Sequence, residues 1–305
     1  MPAGNKKGLY TCPPAFLDPI PFMKIYTLKT RKFSLANRGD LELFFIGVGY
    51  AFTKRQYQTN LLVIKGEDHL LIDCGTRCPH AFYELGIPVT EVKNFLITHS
   101  HADHVGGLEE VAIRGRYSNK RKPIMIINET YQQLLWDMTL SGGAAYNEEN
   151  ANRILTFENY FDIIRPTKIP DCPRETFGAQ VGKFDIKMMR TKHVPESSAD
   201  WLSSFWSCRA IIDDRIMFTS DTRFDYDLID HYEKRFNFDA IFHDCQFITG
   251  GVHASLEELN GLQEEYKSKI YLTHYDDNWE DYLDMVQGFG FAGLAKQHVY
   301  YNFDK

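Results

Sequence analysis

Short runs of apolar residues that end on polar ones dominate the first third of the chain. The segments 41–52 (LELFFIGVGYAF) and 59–75 (TNLLVIKGEDHLLIDCG) predict a strand that leads into a glycine-containing turn, followed by two strands joined by a hairpin around Gly66. The segment 78–86 (CPHAFYELG) has the spacing of a helix that ends at its final glycine. A short buried strand at 92–100 (VKNFLITHS) then leads into a group of histidines.

The rest of the chain continues this mixture of helices and strands. The segment 129–143 (ETYQQLLWDMTLSGG) predicts a helix stopped by glycine, and the segment 152–166 (NRILTFENYFDIIRP) mixes helix and strand signals. Four further segments predict strands, the second of them a hairpin that turns at Asp213 and Asp214: 181–193, 205–221, 238–245 and 267–274. Polar residues gather where the strands end. In an α/β fold, loops at strand ends build a site on the edge of a sheet.

Composition and charge narrow the classes of partner. The 305 residues are 44% hydrophobic, which is enough for one large core or two modest ones. Lys and Arg number 34 against 41 Asp and Glu, and the net charge of −7 disfavours a long nucleic acid as partner. No run of about 18 apolar residues occurs, and the first residues lack the apolar core of a signal peptide. We therefore expect a cytoplasmic protein without membrane contact.

The same reasoning predicts a simple domain organisation. Residues 1–22, which contain several prolines, predict an N-terminal extension, and residues 23–305 predict a single domain. The six cysteines have neither the spacing of a disulfide framework nor that of a complete zinc knuckle. We interpret them as free or structural thiols.

The segment 98–107 (THSHADHVGG) holds the densest group of metal-binding residue types. His99 and His101 are two positions apart, so their side chains can converge on one point, while Asp103 and His104 can face a second point. Neutral imidazole and carboxylate are ligands that suit Zn, Mn or Fe. The alternative interpretation is a solvated polar turn before a helix that starts near His104.

Three later residues decide between these interpretations. A two-metal site needs about three more ligands from other strand ends. His193, Asp221 and His274 each follow an apolar strand and supply the required residue types. Any one of them alone would more often be structural, but together with the first group they favour a metal site.

These residues, taken in order, resemble the metallo-β-lactamase fold superfamily. The shared pattern is H-x-H-x-D-H after a strand, then a single His, an Asp within S-D-T, and a late His. The resemblance extends from about Leu41 to the C-terminus and implies an α/β protein with a four-layer αβ/βα sandwich and a site at one edge of two packed sheets. It also implies two divalent metal ions as cofactors, with Zn as the first choice and Mn or Fe as alternatives.

The resemblance assigns the ligands position by position. One metal would be held by His99, His101 and His193, and the second by Asp103, His104 and His274, with Asp221 bridging the two. Asp73, in LLIDCG, corresponds to the family's buried aspartate that supports the histidine loop. An ordinary turn residue is the alternative interpretation of Asp73.

The segment 240–259 (AIFHDCQFITGGVHASLEEL) is similar to tRNase Z-type phosphodiesterases, in which an acidic strand end precedes a histidine motif that opens a helix. Ser255 and Glu258 fit the S-x-x-E capping box, so a helix can begin there with its free N–H groups facing a phosphate. His253 would be the general acid, with Asp244 or His243 close enough to tune it. The alternative is that His253 only packs or caps.

Two departures separate the chain from tRNase Z itself. The interval between His193 and Asp221 is too short for the basic arm that grips tRNA, and the basic run at 114–122 is more typical of a solvated loop. The segment 44–60 (FFIGVGYAFTKRQYQTN) instead resembles armless relatives, namely cyclic-nucleotide phosphodiesterases and anti-Pycsar proteins. This branch of the superfamily is our preferred interpretation.

The resemblance thus implies an enzyme that hydrolyses a small phosphodiester, with a 3′,5′-cyclic nucleotide as first choice, by attack of a metal-bridging hydroxide. The catalytic residues would be Asp103 and His253, and Ser255 would bind the substrate. Four aromatic residues are candidates for stacking on the base: Tyr50, Phe52, Tyr57 and Trp201. Relatives are often homodimers, which makes a homodimer an expectation here.

Three alternative functions stay open. A thioester or lactone hydrolase like glyoxalase II shares the THxHxDHxGG motif and needs no general acid. A tRNase Z-type endoribonuclease would require another means of gripping RNA. A non-catalytic nucleotide-binding protein is the third alternative, and the intact set of seven ligand types argues against it.

Overall fold

The strands of the computed structural model, which describes residues 23–146 and 153–304, form two eight-stranded sheets. The first sheet contains β1 (Lys24–Thr27), β2 (Glu42–Gly47), β3 (Asn60–Lys65), β4 (Asp68–Ile72), β5 (Asn94–Leu96), β6 (Ile124–Ile126), β7 (Asp162–Ile164) and β16 (Val299–Asn302). Its strand order is β1-β16-β2-β3-β4-β5-β6-β7. The C-terminal strand β16 therefore lies between the two N-terminal strands.

The second sheet follows the first in the chain. It contains β8 (Thr167–Lys168), β9 (Thr176–Val181), β10 (Phe184–Arg190), β11 (Cys208–Ile212), β12 (Ile216–Phe218), β13 (Ala240–Asp244), β14 (Ile270–Thr273) and β15 (Gly293–Leu294). Its strand order is β15-β14-β13-β12-β11-β10-β9-β8.

Helices cover the outer faces of both sheets. They are α1 (Cys78–Glu84), α2 (Ala102–Val105), α3 (Leu108–Arg114), α4 (Glu129–Leu135), α5 (Ser141–Ala144), α6 (Phe157–Tyr160), α7 (Tyr226–Phe236), α8 (Leu256–Leu259), α9 (Glu264–Lys267) and α10 (Leu283–Gly288). Single 3₁₀ turns occur at Val89–Glu91 and Trp279–Tyr282, and π turns at Gly115–Asn119 and Trp136–Leu140. Within the described ranges, every helix is too short or too polar to cross a membrane.

The sequence of strand β2 is almost entirely apolar, and the packing of the strand explains this. Side chains alternate between the two faces of a strand. Leu43 and Phe45 face the second sheet, where the Phe45 ring lies 4.9 Å from that of Phe242, while Phe44 and Ile46 belong to the separate core under the helices α1 and α3. Since both faces are buried, the strand has no polar face. The result is the four-layer αβ/βα sandwich that the sequence predicts.

Residues 23–40 form a strap along the edge of the first sheet. Strand β1 pairs antiparallel with β16, and Phe33 packs its ring 4.9 Å from that of Phe44. The guanidinium of Arg31 lies 4.2 Å from the centre of the Tyr300 ring and forms a 2.5 Å ion pair with Glu42. The predicted extension 1–22 lies outside the described residues.

Most predicted elements are confirmed, including the hairpin at Asp213 and Asp214, which both have positive φ angles. The glycine stop predicted at the end of segment 129–143 is wrong, because α5 runs through both glycines. A Cβ atom at Gly143 would collide with the carboxylate of Glu109, so this glycine allows close packing rather than ending the helix. Helix α7 was not predicted.

Strand direction explains where polar residues meet. Strands β4 to β7 are parallel neighbours, and so are β12 to β15. Strand β10 runs in the same direction as β12, because both are antiparallel to β11. The carboxyl ends of β4 and β5 in one sheet and of β10, β12, β13 and β14 in the other therefore meet at one edge of the sandwich.

Candidate metal centre and active site

All seven predicted ligands lie just beyond the ends of these strands. His99 and His101 follow β5, Asp103 and His104 lie in α2, His193 follows β10, Asp221 follows β12, and His274 follows β14. Asp73 and His274 have φ angles of 66° and 61°, so the chain turns sharply at the ends of β4 and β14. Non-glycine residues rarely adopt this left-handed conformation, and it is concentrated at functional sites.

The first ligand set consists of four side chains from three strand ends. Nε2 of His99 lies 3.0 Å from Nδ1 of His101, which is 3.3 Å from Nε2 of His193. Oδ2 of Asp221 is 3.6 Å from Nε2 of His99 and 3.8 Å from Nε2 of His193. The ligand atoms lie within 4.8 Å of one another, so they can surround one metal ion.

The second ligand set uses the other oxygen of Asp221. Nε2 of His104 lies 3.0 Å from Oδ2 of Asp103 and 3.2 Å from Oδ1 of Asp221. Nε2 of His274 is 3.8 Å from Oδ2 of Asp103, and its Nδ1 is 3.4 Å from Oδ1 of Asp221. Asp221 therefore faces each set with one oxygen, which is the arrangement of a bridging carboxylate.

Several of these buried atoms have no hydrogen-bond partner. They are Nε2 of His104, Oδ1 of Asp221, and both ring nitrogens of His274. An unpaired buried polar atom is costly, and most such atoms in folded proteins are satisfied. Lone pairs that converge on one point have a natural partner in a cation. This donor set therefore fits divalent metal ions.

The electrostatics of the cluster agree with this fit. Burial lowers the pKa of His99 well below its ordinary value and that of His193 to about 4, which keeps both imidazoles neutral, as metal ligands must be. Burial alone would also lower the pKa of His104, but the charges of Asp221, Asp103 and Asp73 raise it well above its usual range. The three carboxylates thus create a strongly negative field around a buried point.

Hydrogen bonds on the far side of the imidazoles orient the ligands. Nδ1 of His104 donates to Oδ2 of Asp73 at 2.7 Å, and Nδ1 of His193 donates to the carbonyl of Val252 at 2.8 Å. Each bond fixes the tautomer that leaves Nε2 free to bind a metal. Asp73 also accepts from the backbone N–H of Thr98 at 2.8 Å. The structure places Asp73 where the sequence predicts a supporting aspartate.

Sequence reasoning missed several of these supporting groups. The hydroxyls of Thr98 and Ser220 lie 2.9 Å apart and both reach Asp73, at 2.8 Å and 3.3 Å. Thr98 could have been suspected from its place next to His99, whereas the contribution of Val252 is a backbone carbonyl that no side-chain pattern encodes.

His253 lies beside the cluster with its own carboxylate. Its Nδ1 donates to Oδ2 of Asp244 at 2.8 Å, and its ring centre is 4.8 Å from that of His274. Burial would lower the pKa of His253, but the charge and hydrogen bond of Asp244 outweigh burial and raise it to about 9. The side chain of His253 is 20% exposed, whereas that of Asp244 is fully buried. His253 can therefore be protonated and still reach a bound molecule.

Other predicted residues have different surroundings. Ser255 is buried, and its hydroxyl forms the capping box with Glu258 that the sequence predicts, so its substrate-binding role stays a prediction. Nδ1 of His243 donates to the backbone carbonyl of Asp244 at 2.6 Å, whereas His253 bonds to the carboxylate of Asp244. Tyr57 is buried under the guanidinium of Arg77, 4.8 Å from its ring centre, which removes it as a stacking residue.

Comparison with known proteins shows which protein family this sequence matches. A family model described as anti-Pycsar protein Apyc1 matches residues 41–301. The anti-Pycsar protein Apyc1 of Bacillus phage vB_BsuM-Goe3 is 35% identical over 264 residues, covering 85% of this chain and 98% of the relative. That of Paenibacillus harenae is 36% identical over 243 residues, covering 79% of this chain and 92% of the relative.

Solved structures with low sequence identity share the fold. The metallo-β-lactamase fold protein YhfI from Bacillus subtilis superposes with a TM-score of 0.61 at 18% identity, covering 86% of this chain and 99% of that one. A diphosphatase of the PhnP family gives a TM-score of 0.62 at 14% identity, covering 85% of this chain and 96% of that one. The short form of human tRNase Z gives 0.54 at 13% identity, covering 87% and 100%. At these identities the similarity establishes the fold alone.

Proposed function

Because this chain belongs to the anti-Pycsar protein Apyc1 family and has the metallo-β-lactamase fold, we propose that it is a metal-dependent phosphodiesterase that opens 3′,5′-cyclic nucleotides. Cyclic mononucleotides are the substrates that the sequence resemblance implies. A small substrate also agrees with a net charge of −7, which provides no broad basic surface for a polynucleotide.

The observation that carries this proposal is the position of Asp221 between the two ligand sets. Its oxygens lie 3.6 Å from Nε2 of His99 on one side and 3.2 Å from Nε2 of His104 on the other. A shared carboxylate holds two ions close together, as two-metal hydrolytic sites require. When bound, the ions would supply Lewis acidity toward the phosphate and lower the pKa of a bound water.

His253 is proposed to protonate the leaving group. Its Nδ1–H is committed to Asp244, so the mobile proton of the imidazolium is on Nε2. The oxygen of water forms a bond to phosphorus, the bond from phosphorus to the 3′ oxygen breaks, and the proton on Nε2 passes to that oxygen. The product is a nucleoside 5′-monophosphate with a free 3′ hydroxyl.

Asp103 is proposed to orient the attacking water and to take its proton. Its Oδ2 lies within 4 Å of both His104 and His274, at 3.0 Å and 3.8 Å. Burial alone would raise the pKa of Asp103, but the charge of His104 lowers it below its ordinary value. A carboxylate that stays ionised can accept a proton during the reaction.

A turnover screen of the purified, metal-loaded protein tests the proposal. The substrates are 3′,5′-cyclic mononucleotides, cyclic dinucleotides, pre-tRNA and lactoylglutathione. We expect conversion of the cyclic mononucleotides to 5′-monophosphates. Preferred cleavage of lactoylglutathione would replace the proposal with a thioester hydrolase, and preferred cleavage of pre-tRNA would replace it with an endoribonuclease. Binding of a cyclic nucleotide without turnover after loading with Zn, Mn or Fe would overturn catalysis.

A further inference from the structure

The loop between β2 and β3, residues 48–59, carries an exposed aromatic ring and is hydrogen-bonded to the backbone of His274. Phe52 is 72% exposed, and its ring centre lies 6.0 Å from that of Tyr50 in an edge-to-face arrangement. We propose that Phe52, supported by Tyr50, is the surface on which the base of the nucleotide substrate stacks. This inference rests on the proposed function and adds the residue that recognises the base.

The backbone of this loop is joined to the strand end that carries His274. The N–H of His274 donates to the carbonyl of Val48 at 2.7 Å, and the N–H of Tyr50 donates to the carbonyl of Tyr275 at 3.2 Å. The backbone of Tyr50 is therefore bonded directly to Tyr275, which follows the predicted metal ligand His274 in the chain. A nucleotide whose phosphate lies at the ligand sets would extend its base away from them, and in this proposal it extends toward the loop that is bonded to the backbone of His274.

Asp277 ties the tip of the loop to the rest of the protein. Its carboxylate accepts from the hydroxyl of Thr53 at 2.5 Å, from the N–H of Lys54 at 2.7 Å and from the N–H of Arg55 at 3.2 Å. The guanidinium of Arg55 donates to the carbonyl of Asp277 at 2.6 Å and pairs with Glu280.

Arg77 also binds the backbone of this loop. Nη1 of Arg77 donates to the carbonyls of Thr53 and Gln56 at 3.3 Å and 3.0 Å. Together with the bonds of Asp277, these bonds fix the backbone that follows Phe52, while the ring of Tyr50 supports the Phe52 side chain. A preorganised aromatic ring loses little conformational freedom when a flat ligand stacks on it.

The other aromatic candidates are less available. Tyr57 is buried beneath Arg77. Trp201 is half-buried, and its ring centre lies 5.9 Å from the guanidinium of Arg190. Phe205 is 69% exposed but lies on the loop between β10 and β11, where its N–H donates to the carbonyl of Val194 at 2.8 Å. Phe205 is thus a matched control: the same residue type and exposure on a different loop.

The test compares Phe52→Ala with Phe205→Ala on a 3′,5′-cyclic nucleotide and on a cyclic ribose 3′,5′-phosphate that lacks the base. Loss of base stacking should raise KM for the cyclic nucleotide about tenfold with little change in kcat, because stacking on an aromatic ring contributes to binding. Phe52→Ala should leave the baseless substrate unaffected, Phe52→Trp should restore the KM, and Phe205→Ala should behave as the wild type.

Three results would overturn the inference: an unchanged KM in Phe52→Ala, an equal loss on the baseless substrate, or the same loss in Phe205→Ala. Each is distinct from failure of the proposed function, in which the wild-type protein itself would not turn over cyclic nucleotides.

Asp277 is the positioning residue in this arrangement, and it provides a second test. Asp277→Ala should release the loop tip and raise KM in the same direction as Phe52→Ala. If Asp277 acts through Phe52, the double variant should have the KM of Phe52→Ala alone, because coupled sites are not additive. Additive increases in a folded double variant, checked by its melting temperature, would contradict this role.

Discussion

Two parts of the interior bury charged side chains, and they do so in different ways. One is the ligand cluster around Asp221. The other is Arg209 in strand β11, which is 0% exposed. Its guanidinium lies 3.0 Å from the sulfur of Met217, 3.4 Å from the carbonyl of Leu228 and 4.5 Å from the centre of the Tyr232 ring. Among the described residues no carboxylate pairs with it, and burial lowers its pKa to about 9.

Both places contain buried polar atoms without a hydrogen-bond partner, including Nε of Arg209. In the cluster, however, the unpaired atoms are lone pairs from different strands that converge on shared points. Around Arg209, the donors reach two methionine sulfurs and the carbonyl of Leu228, so they do not converge on a shared point. An unpaired buried atom therefore does not identify a ligand site by itself. A ligand site is identified when several unpaired atoms that need the same kind of partner converge on one point.

The largest effect should follow from changing the shared ligand. Asp221→Asn replaces one oxygen with an N–H donor, so both ligand sets lose charge and one loses a ligand. We expect metal content and turnover each to fall by at least about 100-fold, since even residues that only support ligands cost 10–100-fold. Elemental mass spectrometry and kcat on a cyclic nucleotide measure this.

Asp213→Asn, in the β11–β12 turn, is the control for Asp221→Asn, because it removes one carboxylate at the opposite end of strand β12 from Asp221. Retention of two metal equivalents by Asp221→Asn would show that the shared carboxylate does not hold the ions. The cluster around Asp221 would then not differ from Arg209 in binding a ligand.

A smaller and more selective effect is expected at His253. His253→Gln should keep its metal content, because His253 is outside both proposed ligand sets, while kcat on a cyclic nucleotide falls by about 10²–10⁴-fold through loss of the general acid. A nucleotide p-nitrophenyl ester should be cleaved almost normally, since p-nitrophenolate leaves without a proton. Equal losses on both substrates would indicate that His253 positions the substrate or metal instead.

The smallest effect on activity is expected at Arg209. Replacing a buried charge with an apolar side chain of similar length is often neutral or stabilising by about 1–4 kcal/mol. Arg209→Met should therefore keep its metal content and turnover and unfold at the same or a higher denaturant concentration, whereas Arg209→Ala should lose stability through the cavity. Loss of metal from a folded Arg209→Met variant would erase the distinction between the two regions.

Much of the site was predictable because its signals are local. The histidine motif lies within six residues, and the rule that polar residues follow buried strands located His193, Asp221 and His274. Helix α7 also had a readable signal, since Asp225 caps it by accepting from Leu228 and its last turn is basic. The sequence therefore contains enough information to predict this helix.

Other features could not be predicted, because they depend on residues that are distant in the chain. The bond from His193 to the carbonyl of Val252 spans 59 positions, and the burial of Arg209 depends on the packing of α7 on the second sheet. Arginine side chains are rarely fully buried without a charged partner, so nothing in the local sequence indicates this burial. The sequence likewise offered four aromatic candidates for stacking, and only the loop geometry separates Phe52 from Tyr57.

The position of β16 has a consequence for how this protein is made. Val299–Asn302 is inserted between β1 and β2, pairing with Lys24–Thr27 on one side and with Glu42–Phe44 on the other. During synthesis the first sheet therefore lacks an internal strand until residues 299–302 have left the ribosome. Pairings that span nearly the whole chain are slow to form. Strand β2 and the histidine motif that follows it therefore lie beside an open sheet edge until β16 has been made.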